Sequence, residues 1–259
     1  MTAARAVIFG LFGLPIGSFL TVVAYRVPRK ESVSRPRSRC PSCGTELRNR
    51  DNIPVVSWLA LRGRCRSCGV RISAVYPLIE LATGGLFVSA AIVFDDLWVA
   101  IMMAAFLALM PPIAIIDIRQ RIIPNRITYP ALIGFGLYLV VARLAGAPVD
   151  LSRAGLGFLL YGGVLLLIAL IVPRGMGIGD VKLVALIGLV LGSLGLRYVG
   201  VAAGAGILLG GIGSIVALIV GLGRKQAIPF GPYLAAGAIV AAFFADPISR
   251  AYLDLTVGT

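Results

Sequence analysis

The chain contains no histidine, and only 11 of its 259 residues are Asp or Glu. Without an imidazole, serine–histidine and cysteine–histidine nucleophilic mechanisms are excluded, and the commonest general base is missing. Charged residues make up 14% of the chain, against about 25% in soluble domains. That shortage excludes a disordered chain, a charged coiled coil and a soluble α/β enzyme. Cysteine is limited to four residues, all between positions 40 and 68. A secreted scaffold stapled by disulfides is therefore excluded as well.

What is present is long apolar sequence. Hydrophobic residues make up 59% of the chain, and mean hydropathy is +0.97. A bilayer core about 30 Å thick needs about 20 apolar residues in a helix rising 1.5 Å per residue. Runs of this kind cover 6–25, 97–116, 127–142, 154–173, 183–196, 198–223 and 226–245, and 75–94 is interrupted only by Glu80. Unpaired backbone groups are not tolerated in lipid, so these runs predict helices. The first lacks a small-residue cleavage pattern and reads as a retained span rather than a signal peptide. The expected fold is an all-α polytopic membrane protein of about eight transmembrane helices, with a small cysteine-bearing insertion between the first two. The expected divisions are residues 1–26, 27–74 and 75–259.

Basic residues set the orientation. With eight alternating spans, 19 of the 24 Lys and Arg fall in the loops of one side, 12 of them between 26 and 74. Cytoplasmic loops carry this excess. The cysteine loop is thus expected in the cytoplasm and both termini outside. The net charge of +13 is then a topology signal, and no nucleic-acid partner is expected. Arg29, Arg35, Arg37, Arg39, Arg62, Arg64, Arg66 and Arg71 would face anionic lipid headgroups.

The cysteines form two pairs, Cys40-Pro-Ser-Cys43-Gly44 and Cys65-Arg-Ser-Cys68-Gly69, with 21 residues between them. Two such knuckles supply four thiolates to a tetrahedral ion, and the trailing glycine permits the tight turn each knuckle needs. Zinc, or iron in a rubredoxin-like site, is expected on Cys40, Cys43, Cys65 and Cys68. A closed four-sulfur site is structural. Disulfides do not suit a cytoplasmic loop.

Among the scarce acids, three stand apart. Glu80 lies inside an apolar run, Asp117 ends another, and Asp180 closes Gly175-Met-Gly177-Ile-Gly179-Asp180. Counting spans puts Asp117 and Asp180 on the same side, at the membrane edge. Two carboxylates at one depth suit a dyad that shares a proton, one acting as base on a water and the other as acid on a carbonyl oxygen. Taken singly, Asp117 also reads as an interfacial charge beside Arg119 and Arg121, and Asp180 as a helix cap. Glycines 175, 177 and 179 favour a close backbone approach at Asp180.

These residues carry a resemblance. The chain resembles the type IV prepilin peptidases, membrane aspartyl proteases of the Gly-x-Gly-Asp type. The likeness runs in order through Gly17-Ser-Phe-Leu, the Cys40 knuckle, Asp51-Asn-Ile-Pro, Ile72-Ser-Ala-Val-Tyr-Pro-Leu-Ile-Glu80, the Asp117 segment, Gly175-Met-Gly-Ile-Gly-Asp and Ile228-Pro-Phe-Gly-Pro-Tyr. It implies catalysis by Asp117 and Asp180, with Gly177 and Gly179 as a supporting loop. It implies cleavage of basic leaders from prepilins and prepilin-like secretion proteins, after a glycine, at the cytoplasmic face of a bacterial inner membrane. Pilus or type II secretion machinery would be the partner. Members with the cysteine insertion often methylate the new N-terminus from S-adenosylmethionine. Two positions bear on that second activity: Asn125 stands where many bifunctional members have Asp, and Thr21 where Asn is frequent.

Glu80 could contact substrate, serve methyl transfer, or simply pair with Lys182 or an arginine. Pro229, Gly231 and Pro232 should break the helix at the mouth of the last span. Two other readings share the same acids: a Gly-x-Gly-Asp intramembrane protease with different substrates, and a zinc-dependent transporter or sensor, since intramembrane carboxylates also relay protons.

Overall fold

A computed structural model describes residues 2–172, 177–220 and 229–257. Gly175 and Ile228 of the sequence reading lie outside these residues. No strand occurs among the described residues. Helix α1 (Thr2–Arg26) lies against α3 (Val75–Val93) along much of its length. Glycines make that approach possible. A Cβ on Gly13 would sit 2.8 Å from the Cβ of Phe87, and one on Gly17 would sit 2.8 Å from the Cα of Glu80. Between these helices the segment 27–74 folds as turns and knuckles around a single short helix, α2 (Val56–Ala60).

Helices α4 (Leu97–Ala108) and α5 (Met110–Gln120) follow. They form one rod with a break at Leu109, where Pro111 and Pro112 remove amide donors from the next turn. Asp117 thus lies inside the last turn of α5, and the helix runs three residues past it. Helix α6 (Asn125–Leu144) is followed by α7 (Leu151–Gly157), a π-helical turn (Phe158–Gly163) and α8 (Val164–Ile171), which together make another continuous rod. Helices α9 (Ile178–Gly192), α10 (Leu196–Ile219) and α11 (Gly231–Val257) complete the described residues.

Seven of these rods are long and apolar enough to cross a membrane. The eighth expected span is α9, which has only 15 residues. It runs through the middle of the bundle, wrapped by α6, α7, the π turn, α10 and α11. Leu183, Val184, Leu186, Ile187, Val190 and Leu191 on it have no exposed surface. Backbone contact holds it there: a Cβ on Gly188 would lie 2.2 Å from the carbonyl oxygen of Gly157, and one on Gly162 would lie 2.7 Å from the Cβ of Ala185. The rods around it turn apolar side chains outward, among them Ile133, Leu137, Leu170, Leu208 and Ile219. Such a surface belongs in lipid.

Polar ties close the bundle at the end away from the cysteine segment. Arg5 donates to the carbonyls of Phe94 and Asp95 at the end of α3. Arg197 pairs with Asp246 at 2.6 Å, and the Tyr198 hydroxyl donates to the same carboxylate. The Asp96 carboxylate caps α4 by accepting from the Val99 amide at 2.9 Å.

Candidate active site and metal centre

Asp117 and Asp180 lie at the opposite end, on α5 and α9, both of which pack against α11. Asp117 is 5% exposed and its Oδ2 accepts a hydrogen bond from the Gly231 amide at 2.8 Å. Its Oδ1 accepts none from a described residue. Asp180 is half-buried in the first turn of α9 and lies close enough to Asp117 for the two charges to interact. Gly177 caps α9: its carbonyl accepts from the Asp180 amide at 3.0 Å, and a Cβ on it would lie 3.2 Å from Asp180 Oδ2. The carboxylate thus belongs to the first turn rather than to the cap itself, at the end of the helix where negative charge is favoured.

Gly179 sets the approach of α9 to the turn after α5. A Cβ there would come within 3.1 Å of the Cβ of Ile123. The next contact along is polar. Lys182 donates to the side-chain oxygen of Asn125 and lies 5.0 Å from the centre of the Tyr129 ring. Asn125 and Lys182 therefore pin the start of α6 to the start of α9, beside the two aspartates.

The four cysteines also converge. Their Sγ atoms all lie within 4.8 Å of one another, and Cys40 and Cys68 are 3.8 Å apart. Four sulfurs about 2.3 Å from a central zinc would be about 3.8 Å apart, so the set fits a tetrahedral ion. The two knuckles repeat each other. Cys40 and Cys65 each accept at their carbonyl from the amide of Gly44 or Gly69 at 2.9 Å, and both glycines have φ +71°. That left-handed conformation is why glycine follows each pair. Beneath the knuckles Trp58 packs on Gly63 and donates to the Ile72 carbonyl at 3.1 Å. Arg66 makes a two-pronged pair with Asp51, Nη2 to Oδ1 at 2.7 Å. The guanidinium holds the Asp51 carboxyl below its ordinary range.

Glu80 is buried, 7% exposed, and its Oε2 accepts from the Val55 amide at 2.7 Å. Among the described residues it meets neither Lys182 nor an arginine. Val55 adopts φ +61°, a strained conformation for a β-branched residue, and so turns its N–H toward the acid. The cysteine segment is thereby fastened to α3 inside the bundle. Thr21 is buried on α1, its hydroxyl donating to the Ser18 carbonyl at 2.7 Å.

Sequence reasoning singled out both aspartates and both knuckles but missed two elements of the site. Gly231 was visible only as a helix breaker. In the structure a Cβ on it would fall 2.7 Å from Asp117 Oδ2, so only glycine leaves the amide room to donate. The Lys182–Asn125 tie was equally hidden, because its partners are 57 residues apart. The available signal was the Pro-Phe-Gly-Pro run: prolines flanking a lone glycine fix a backbone bend where a side chain would interfere.

Comparison with known proteins agrees with this arrangement. Residues 11–94 match the model of the bacterial peptidase A24 N-terminal domain, and residues 101–245 match that of the type IV leader peptidase family. A prepilin leader peptidase/N-methyltransferase of Bacillus subtilis is 39% identical over 254 residues, covering 96% of this chain and 98% of the relative. One from Dichelobacter nodosus is 35% identical and covers 87% of each chain. One from Myxococcus xanthus is 42% identical over 71% of this chain and 55% of its own length. No solved structure matches. With the two aspartates on α5 and α9, the paired knuckles and matches that span most of its length, the chain belongs to the type IV leader peptidase family.

Proposed function

We propose that this membrane protein is an aspartyl endopeptidase that removes leader peptides from prepilins and prepilin-like proteins. The observation that supports the reading is the placement of Asp117 and Asp180 at one end of the bundle, within electrostatic reach of each other, in a chain without histidine. Gly231 holds one oxygen of Asp117 and leaves the other for a water. One carboxylate takes a proton from that water as its oxygen adds to the scissile carbonyl carbon. The other protonates the carbonyl oxygen. As the carbon–nitrogen bond breaks, the leaving amine receives a proton from the dyad. The Asn125–Lys182 tie and Gly179 keep the two helices in register for this geometry.

The zinc expected on Cys40, Cys43, Cys65 and Cys68 supplies a cross-link to the 27–74 segment and no step of the chemistry. The excess of Lys and Arg in the loops on this side supports a cytoplasmic placement of the knuckles and the aspartates in a bacterial inner membrane, with both termini outside. The family's relatives carry a methyltransferase name, which supports a second reaction on the new N-terminus. Its methyl donor, S-adenosylmethionine, is consumed as a substrate. Glu80, beside the cysteine segment, is the acid best placed to handle that amine. Pilus or type II secretion machinery would receive the product.

The test is co-expression with a prepilin and mass spectrometry of its N-terminus. Wild type should yield a chain cut after a glycine, with a mass increment of one methyl group if transfer occurs. Asp117→Ala and Asp180→Ala should leave the leader in place while still accumulating in the membrane. Normal cleavage by either variant would overturn the assignment.

A further inference from the structure

A cleft of about 340 Å³ lies between α1 and the overhanging cysteine segment, away from the aspartate pair. Its α1 wall includes Pro15, Phe19, Val22 and Arg26. At about 100° per residue these fall within an arc of about 60°. Gly10, Gly13 and Gly17, which touch α3, lie on the opposite face of the helix. The cleft therefore opens outward, toward the bilayer, and not into the bundle. Phe19 is 52% exposed along it.

Arg26 closes the cleft where α1 ends. The residue is 9% exposed, and one guanidinium nitrogen donates to the Ser32 carbonyl at 3.0 Å. No carboxylate pairs with it among the described residues. The cleft's other arginine, Arg37, is already held by Glu46 at 3.1 Å and by Asn49 at 2.8 Å. No acidic side chain lines the cleft. A buried cation without a carboxylate is costly unless an anion reaches it. Ser34 also lines the cleft, its hydroxyl 3.2 Å from that of Ser32.

We infer that this cleft holds the headgroup of an anionic phospholipid, its phosphate on Arg26 and its acyl chains along Phe19 and Val22. A groove with an apolar α1 wall, a facing wall that carries Ser34, Ser38, Asn49 and Asn52, and an uncompensated guanidinium at its end matches that amphiphile. S-adenosylmethionine fits less well, because its sulfonium and ammonium groups would meet no acid there. The inference needs only the membrane setting and does not depend on peptidase activity.

The experiment is native mass spectrometry of the full-length protein, released from detergent with phosphatidylglycerol titrated in. Wild type should retain one lipid adduct in preference to phosphatidylcholine. Arg26→Gln should weaken that adduct at least about tenfold, the loss expected for a hydrogen-bonded charge. Because removing Arg26 risks the fold, Val22→Trp is run beside it. It fills the groove while keeping the guanidinium in the chain and should remove the same adduct. Equal phosphatidylglycerol binding by wild type and Val22→Trp would overturn the inference, as would equal binding of phosphatidylcholine. Displacement of the adduct by inorganic phosphate or S-adenosylmethionine would also overturn it, in favour of a soluble anion.

Discussion

Gly231→Ala adds one methyl group at the most constrained point of the site. The new Cβ would fall 2.7 Å from Asp117 Oδ2 and 3.1 Å from its Cβ and Cγ. Those distances are too short for any carbon–oxygen or carbon–carbon contact, so either the Asp117 side chain rotates or α11 moves away. In both cases the 2.8 Å bond from the Gly231 amide is lost or badly bent. A hydrogen bond to a charged group contributes about 1.5–3 kcal/mol, which converts to roughly 10- to 150-fold in rate. Backbone conformation adds nothing to this, since Gly231 does not have positive φ and alanine favours helices. Purified Gly231→Ala should therefore cleave a prepilin with kcat/KM reduced by roughly 10- to 150-fold, while eluting as a folded species. Gly134→Ala, where a Cβ meets nothing within 4 Å, serves as the matched control. A folded Gly231→Ala with the control's kcat/KM would refute the claim that this amide positions the aspartate.

Other consequences are as direct. Cys43→Ser should lower bound zinc below one ion per chain by elemental analysis and expose the 27–74 segment to limited proteolysis, because a structural ion contributes folding energy through all four ligands. Gly188→Ala, whose Cβ would lie 2.2 Å from the Gly157 carbonyl oxygen, should destabilise the bundle by at least about 1–3 kcal/mol, read as a lower unfolding midpoint in detergent. Asp51 ionises more readily in the fold because of Arg66. Its pair is therefore fully present above the ordinary aspartate pKa of about 3.9 and is lost as pH falls through the lower folded value. The proteolytic protection of the 27–74 segment should fall further over that acid window in wild type than in Asp51→Asn, which lacks the titrating pair and keeps only the acid loss of the metal site.

The spans were legible because lipid leaves a simple record: long stretches without charge, bounded by Arg, Lys or Asp. The convergence of Asp117 and Asp180 was legible for the same reason, since an odd or even number of crossings decides the side. The knuckles declared themselves through spacing and the glycine after each pair. What stayed hidden was contact between distant backbones. Nothing local to Gly231 indicates that its amide meets a carboxylate 114 residues away. Val55 gives no sign in sequence that it will adopt φ +61° and turn its amide to Glu80. The run at 183–196 gave no sign that its helix would be enclosed by protein and start at Ile178, so that Asp180 stands on the helix and not before it.

The brevity of α9 has a consequence for where water and substrate meet. Fifteen residues rise about 22 Å, short of a hydrocarbon core of about 30 Å. Lipid does not sense the shortfall, because α9 touches protein on all sides and its neighbours are of full length. A helix shorter than the core leaves at least one of its ends within the depth that the longer rods span. With the shortfall at its N-terminal end, the first turn that carries Asp180 would lie within that depth. A substrate helix lying in the bilayer could then present its end to water there without being drawn fully out of the membrane.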